Sequence, residues 1–277
     1  MSLQGPAFYD DNDIFKTYMA GRSRPDNPND TLEKPVLLEL LGDLTGKRIL
    51  DLGCGDAAFG REALRQGAAA YVGVEGSDNM LAVARQTLAG TSGQLIQADL
   101  ETWGYPRETF EIVIARLVLH YLGSMAAVFA GVYQALLPRG RFVFSVEHPV
   151  ITSCDRAWQG QGPRQDWIVD NYFETGPRVT QWLGGQVLKY HRTVEDYYLG
   201  LQRAGFIVES VREARPQPAY FSDQETYLRR TRIPLFLLMA GPALILLCEP
   251  LYSSLFNFQG AFDFLDDIDS IDNEDAV

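Results

Sequence analysis

The sequence predicts a three-layer α/β protein, doubly wound about a mostly parallel, seven-stranded sheet. Three observations predict it. Strand-like and helix-like stretches alternate from residue 48 onward, as in sheets whose strands are joined by crossover helices. A glycine turn, Gly53-Cys54-Gly55, lies between the first such strand and the helix after it, where an open α/β sheet presents its ligand crevice. The 277 residues are 46% apolar and 22% charged, which suits a globular chain and excludes disorder, collagen and coiled coil.

Residues 1–46 read as an N-terminal helical cap segment. The stretch to residue 34 is polar and turn-rich but carries Phe8, Tyr9, Phe15 and Tyr18. Asn27-Pro28-Asn29-Asp30 is a turn signal. Pro35 then opens an apolar helix through Leu41, closed near Gly46. The first strand is Arg48–Leu52 and its helix Phe59–Gln66. A second strand, Ala70–Glu75, runs into Gly76. Ser77 is a fitting N-cap for a helix over Asp78–Leu88. A third strand, Gln94–Ala98, ends at Asp99, and the fourth is Phe110–Ala115. Ser124 caps a helix that Pro138-Arg139-Gly140 stops. The fifth strand is Arg141–Val146.

An aromatic-rich insertion follows, at about 147–191, with Trp158, Trp167, Tyr172, Phe173, Trp182 and Tyr190. Insertions of this length are commonly functional or form a cap. These rings either make a lid over an apolar or cationic ligand or form the cap's own small core. Thr193–Arg203 is a helix. Ile207–Glu213 and Leu235–Ala240 are the last two strands. Residues 242–277 form an extension, apolar and then acidic. It reads as folding onto the body, or onto a second copy as a homodimer, and ending in a solvated tail.

Charge narrows the function classes. The net charge is −12, from 24 basic and 36 acidic residues. Eight of those acids and no Lys or Arg lie beyond Arg232, so the body is close to neutral. Such a chain does not suit general nucleic-acid binding. Cys54, Cys154 and Cys248 show neither paired nor metal-type spacing, and no metal site is expected. Sparse cysteines and the lack of a leader suit a cytoplasmic location. Residues 233–248 carry no charge, but they are too short for a membrane span and are interrupted by Pro234, Gly241 and Pro242.

The segment Asp51-Leu52-Gly53-Cys54-Gly55-Asp56 is the most informative place. Gly53 and Gly55 allow a tight turn and close approach to a ligand, and the following helix directs free N–H groups at the same spot. Gly53-x-Gly55-x-x-Ala58 nominally suits a dinucleotide. Yet Asp51 and Asp56 repel a pyrophosphate and attract an ammonium, so the segment favours S-adenosylmethionine.

Together, Asp51–Gly55, Glu75, Asp99-Leu100 and Phe110–His120 make the chain resemble the class I (Rossmann-like) S-adenosylmethionine-dependent methyltransferases, over roughly residues 8–241. Ser145–Pro149 and Lys189–Thr193 look like a small-molecule subgroup of unassigned substrate. The resemblance implies a methyltransferase domain over 47–241, with its last strand antiparallel and inserted beside the fifth. It implies that Asp51, Gly53 and Gly55 hold the methionyl part of the cofactor, Glu75 the ribose hydroxyls, and Asp99 with Leu100 the adenine. Gly76, Met80 and Arg116 join the cofactor site, Met80 as an apolar wall. Tyr18, Arg22 and Arg24 are candidates to close over it.

Methyl transfer needs chiefly alignment and desolvation, with a base only for a protonated nucleophile. The three histidines are the candidates. His148 follows the fifth strand and His191 precedes the helix after the insertion, and these two are the expected catalytic pair. His120 follows the fourth strand. Glu147 is a second candidate, pointing opposite to His148 on strand alternation. The alternatives are an NAD-dependent oxidoreductase, which leaves Asp51 and Asp99 unexplained, and a non-catalytic S-adenosylmethionine-binding protein.

Overall fold

The computed structural model describes residues 3–154 and 166–244. In chain order the N-terminal segment forms β1 (Leu3–Gln4), α1 (Gly5–Tyr9), α2 (Asn12–Arg22), a π-helical turn (Asn29–Glu33) and α3 (Lys34–Leu41). The wound core follows with β2 (Arg48–Leu52), α4 (Ala58–Arg65), β3 (Ala70–Glu75), α5 (Asp78–Thr87), β4 (Gln94–Gln97) and β5 (Phe110–Arg116). Then come α6 (Met125–Ala135), β6 (Leu136–Glu147), α7 (Pro149–Thr152), and a hairpin of β7 (Gly176–Trp182) and β8 (Gly185–His191). The described chain ends with α8 (Val194–Arg203), β9 (Ser210–Arg212), α9 (Gln224–Arg230) and β10 (Phe236–Pro242).

Seven strands make the large sheet in the order β4-β3-β2-β5-β6-β10-β9. The first five run parallel, and β10 is antiparallel to both neighbours. The expected insertion of the last strand beside the fifth is what the chain adopts. Alternate residues of β2 go to opposite faces. Leu50 and Leu52 pack with α6 and α8 through Phe129, Val132, Tyr197 and Leu201. Ile49 packs on the other face with Leu37 of α3 and Phe59 and Ala63 of α4. Both faces are therefore buried, and the strands read as near-continuous apolar runs.

Local expectations need correction at several points. The turn at 27–30 passes directly into the π-helical turn, α3 starts at Lys34, and it ends at Gly42, not near Gly46. Gly42 takes φ 68°, a left-handed conformation that suits glycine. Pro138-Arg139-Gly140 does not break the chain between helix and strand. β6 already begins at Leu136, paired with Phe110, and the register shifts before Arg141 meets Ile112. Ser124 supplies no side-chain cap; instead its N–H donates to Glu101. Ser77 does cap α5, accepting from the Met80 N–H at 3.2 Å. The strand expected over 207–213 shrinks to Ser210–Arg212, while β10 reaches Pro242, beyond the expected boundary at 241.

The insertion contains the β7–β8 hairpin, and β1 pairs parallel to β8, giving a second sheet of three strands. Phe8, Ile14, Tyr121 and Val187 form a small core beneath it. Trp158, Cys248 and the acidic tail lie outside the described residues, as does the surface expected for a homodimer. No helix among the described residues is long and apolar enough to cross a membrane.

Candidate active site

The parallel strands deliver their carboxyl ends to one edge, and a cavity of about 860 Å³ lies there. Asp51, Gly53, Gly55, Glu75, Gly76, Met80, Asp99, Leu100 and Arg116 all line it. So do Tyr18, Arg22 and Arg24. The strand-end logic of the sequence thus brings every expected cofactor residue to one space.

The turn after β2 is shaped by its glycines. The Gly53 and Cys54 N–H groups donate to the Val74 carbonyl, at 2.8 and 3.1 Å. Gly53 takes φ 67°, and a Cβ there would meet Val118 at 2.5 Å, so two constraints require glycine. Gly55 takes φ 56°, and a Cβ there would enter open space.

Glu75 braces this turn. Its Oε2 accepts from the Gly55 N–H, and its Oε1 accepts from the Gly76 and Ser77 N–H groups, each at 2.9 Å. Burial raises its pKa, against the pull of those three donors. Asp51 is held differently. Oδ2 accepts from the Tyr71 hydroxyl at 2.7 Å, while Oδ1 is buried with no partner. Burial pushes this carboxyl up to about 7, opposed by the Tyr71 hydrogen bond and by Arg116. A buried carboxylate with one unpartnered oxygen, on a residue that lines the cavity, fits a donor-bearing cation. Asp99 Oδ1 takes the Glu101 N–H at 2.8 Å. Met80 is buried on α5, beside the cavity.

Arg116 ends β5 and meets Glu33, which is completely buried on the π-helical turn. The Arg116 Nε and Nη2 groups both donate to the Glu33 carboxylate, Nε at 3.2 Å. Ser145 donates to the same carboxylate at 2.8 Å and accepts from the Leu117 N–H. Burial works against the Arg116 charge, but Glu33 outweighs it and holds the guanidinium protonated.

The histidine expectation is only partly matched by placement. His148 and His191 do not line the cavity. The His148 Nδ1 accepts from the Val150 N–H at the start of α7, and its Nε2 lies 3.1 Å from Glu213. The His191 Nε2 donates to the Tyr172 carbonyl at 2.9 Å, leaving Nδ1 to accept from Thr152 at 2.7 Å. Both rings are thus committed to holding loops, and burial lowers the pKa of each.

His120 and Glu147, the second-choice candidates, do line the cavity. Burial drives His120 down to about 4, with Glu147 pulling the other way. Burial opposes the charge on Glu147, but Lys189 and His120 together keep its pKa low. Lys189 donates to both Glu147 oxygens, at 2.7 and 2.8 Å.

Tyr9, Tyr18, Tyr121 and Trp182 wall the same end of the cavity. The Tyr9 and Tyr121 hydroxyls are 3.2 Å apart, and the Tyr9 and Tyr18 rings meet edge to face at 5.0 Å. Sequence reasoning missed Glu33, Tyr71 and the Lys189 partnership. Tyr71 stands inside an otherwise apolar run, which is a signal; Glu33 beside Lys34 and Lys189 close to His191 and Arg192 carry none.

Comparison with known proteins points to one family. Residues 50–144 match the family model described as a methyltransferase domain. An S-adenosylmethionine dependent methyltransferase from Mesorhizobium loti has 36% sequence identity and a TM-score of 0.71, over 80% of this chain and 99% of that one. An uncharacterized protein of Haemophilus influenzae is 31% identical over 216 residues, 74% of this chain and 85% of its own. Demethylmenaquinone methyltransferase of Lactococcus lactis is 24% identical over 178 residues, 61% of this chain and 69% of its own.

Proposed function

This chain belongs to the S-adenosylmethionine-dependent methyltransferases, and we propose that its acceptor is a small molecule taken up against the aromatic residues of the cavity wall. The observation that carries the proposal is that one cavity is lined by Asp51, Glu75 and Asp99 and also by Tyr9, Tyr18 and Trp182. The second group comes from the N-terminal segment and the hairpin, outside the large sheet that carries the first.

When bound, S-adenosylmethionine supplies a methyl group on a positively charged sulfur. The residues would divide its binding as follows. Asp51 Oδ1 would accept from the methionyl ammonium, which resolves its orphaned state. Arg116 Nη1, which has no protein partner among the described residues, would meet the methionyl carboxylate. Glu75, already oriented by three backbone donors, would take the ribose hydroxyls through its remaining lone pairs. Asp99 and Leu100 would receive the adenine, with Met80 as an apolar wall, while Gly53, Gly55 and Gly76 let the backbone come close.

The chain's own part in the reaction is then alignment in a dry site. Tyr9, Tyr18 and Trp182 exclude water from the acceptor. His120, neutral and at the cavity wall, can hydrogen-bond the acceptor's reacting group. Cys54 and Cys154 are both free thiols, which supports a cytoplasmic setting. The test is incubation of the enzyme with methyl-labelled cofactor and a fractionated cell extract. Label in the low-molecular-weight fraction is expected; label confined to protein or nucleic acid refutes a small-molecule acceptor.

A further inference from the structure

The cations that line the cavity already have partners. Arg22 pairs with Asp30 at 3.3 Å, Arg24 makes two hydrogen bonds to Asp26, and Arg116 is held by Glu33. Arg230 is engaged as well. The most telling pair is Lys189 with Glu147. Lys189 is 3% exposed, and its ammonium reaches both carboxylate oxygens. It also lies 4.9 Å from the centre of the Trp182 ring and 5.7 Å from that of Tyr121.

Two attractions that an organic cation would seek are therefore already used. Aromatic faces draw cations, but here the protein's own lysine faces both rings. Phe8 stacks on Trp182 as well, at 5.6 Å and nearly parallel. Glu147 lines the cavity, yet its charge is compensated from behind the wall. A second cation here would meet Lys189 within a few ångströms, in a poorly screened interior. An anion fares no better: Arg22 and Arg24 already face Asp30 and Asp26, and the Arg116 Nη1 is the group assigned above to the methionyl carboxylate. Beside Glu147 and these two rings, what the wall still offers is neutral: the Tyr9, Tyr18 and Tyr121 hydroxyls and the His120 ring.

We propose that the methyl acceptor is an uncharged molecule with a largely apolar body, and that Lys189 sets this specificity by excluding organic cations. Lys189 does not line the cavity, so it acts through Glu147, Tyr121 and Trp182. The inference rests on the methyltransferase reading, and its test separates the two.

The experiment is calorimetric titration of the full chain, saturated with S-adenosylhomocysteine, with three probes of similar shape. These are 3-tert-butylphenol, the 3-hydroxyphenyltrimethylammonium cation and 3-hydroxybenzoate. Saturation by S-adenosylhomocysteine is the control for the methyltransferase reading, and its failure would count against that reading instead. The neutral phenol should bind at least about tenfold more tightly than either ion. Equal or tighter binding of an ion, or no binding of the phenol, overturns the proposal, and this comparison needs no variant.

Lys189→Met should then shift the preference toward the ammonium probe, because it frees Glu147 and the two rings. Glu147→Gln should shift it toward the benzoate, because it leaves Lys189 uncompensated. Both variants are read only where they still bind S-adenosylhomocysteine. An unchanged preference order in such a variant overturns the role of Lys189.

Discussion

The Tyr71 hydroxyl donates to Asp51 Oδ2 beneath the glycine turn and leaves Oδ1 unpartnered. This asymmetry sets the pH behaviour of the site. Burial raises the Asp51 pKa from 3.8 to about 7 in the folded chain. The folded value exceeds the unfolded one, so the stability it contributes is complete below the unfolded value and is lost as pH rises through about 7. A bound cation favours the ionised form and reverses that trend.

Affinity for S-adenosylmethionine should therefore rise with pH up to about 7, by as much as about tenfold per unit, while its amino group stays protonated. Asp51→Asn should flatten the rise. Calorimetric titration across that range checks it, and a flat wild-type profile would remove Asp51 from the ammonium site.

Glu75→Ala leaves the Gly55, Gly76 and Ser77 N–H groups without their acceptor. The expected cost is about 1–3 kcal/mol of stability from unsatisfied donors. S-adenosylhomocysteine affinity should fall by at least about tenfold, since the proposed ribose contacts are lost as well. Glu75→Gln should be intermediate, because one oxygen remains. Urea denaturation and ligand titration measure the two effects separately, and wild-type affinity in Glu75→Ala would refute the ribose assignment.

Glu33→Gln uncouples a buried pair that joins the N-terminal segment to the end of β5. Breaking such a pair costs about 3–5 kcal/mol, because the surviving charge is stranded. The double substitution Glu33→Met with Arg116→Met should cost clearly less than the two single changes added together. A double-mutant cycle in urea gives the coupling directly, and additivity would mean that the pair is not stabilised as a unit.

Gly60→Ala reverses an ordinary expectation. Alanine in a helix interior usually gains about 1 kcal/mol over glycine. Here the new Cβ would lie 2.2 Å from the Tyr71 ring, which is fully buried and tied to Asp51. A net loss of about 1–3 kcal/mol is expected from overpacking. Cofactor affinity should fall with it, through the displaced Tyr71. Thermal unfolding with and without S-adenosylhomocysteine reads both, and a stabilised variant would show that the ring can give way.

The placement of the expected cofactor residues on one cavity was legible because they stand at or near the ends of strands. Apolar runs locate those ends, and Asp51, Glu75, Asp99 and Arg116 each mark one. Glu33 was not legible, since nothing near it in sequence indicates a partner 83 residues away. The histidines show the same limit. Strand alternation separates Glu147 from His148, but it does not say which of the two the cavity receives. That depends on α7, whose start His148 caps. The beginning of β6 was misread because Pro138-Arg139-Gly140 is a local break signal. Pairing with Phe110 carries the strand through it, an instance of tertiary contact overriding local preference.

The pairing of β1 with β8 has a practical consequence for anyone handling this enzyme. Leu3 and Gln4 are bonded into the hairpin sheet, and Gln4, Gly5 and Pro6 already line the cavity. An affinity tag fused directly ahead of Leu3 would join the chain one residue from the cavity wall. Turnover measured on such a fusion would report the tag as much as the enzyme, so a cleavable tag or an intervening flexible spacer is the sounder format for every assay above.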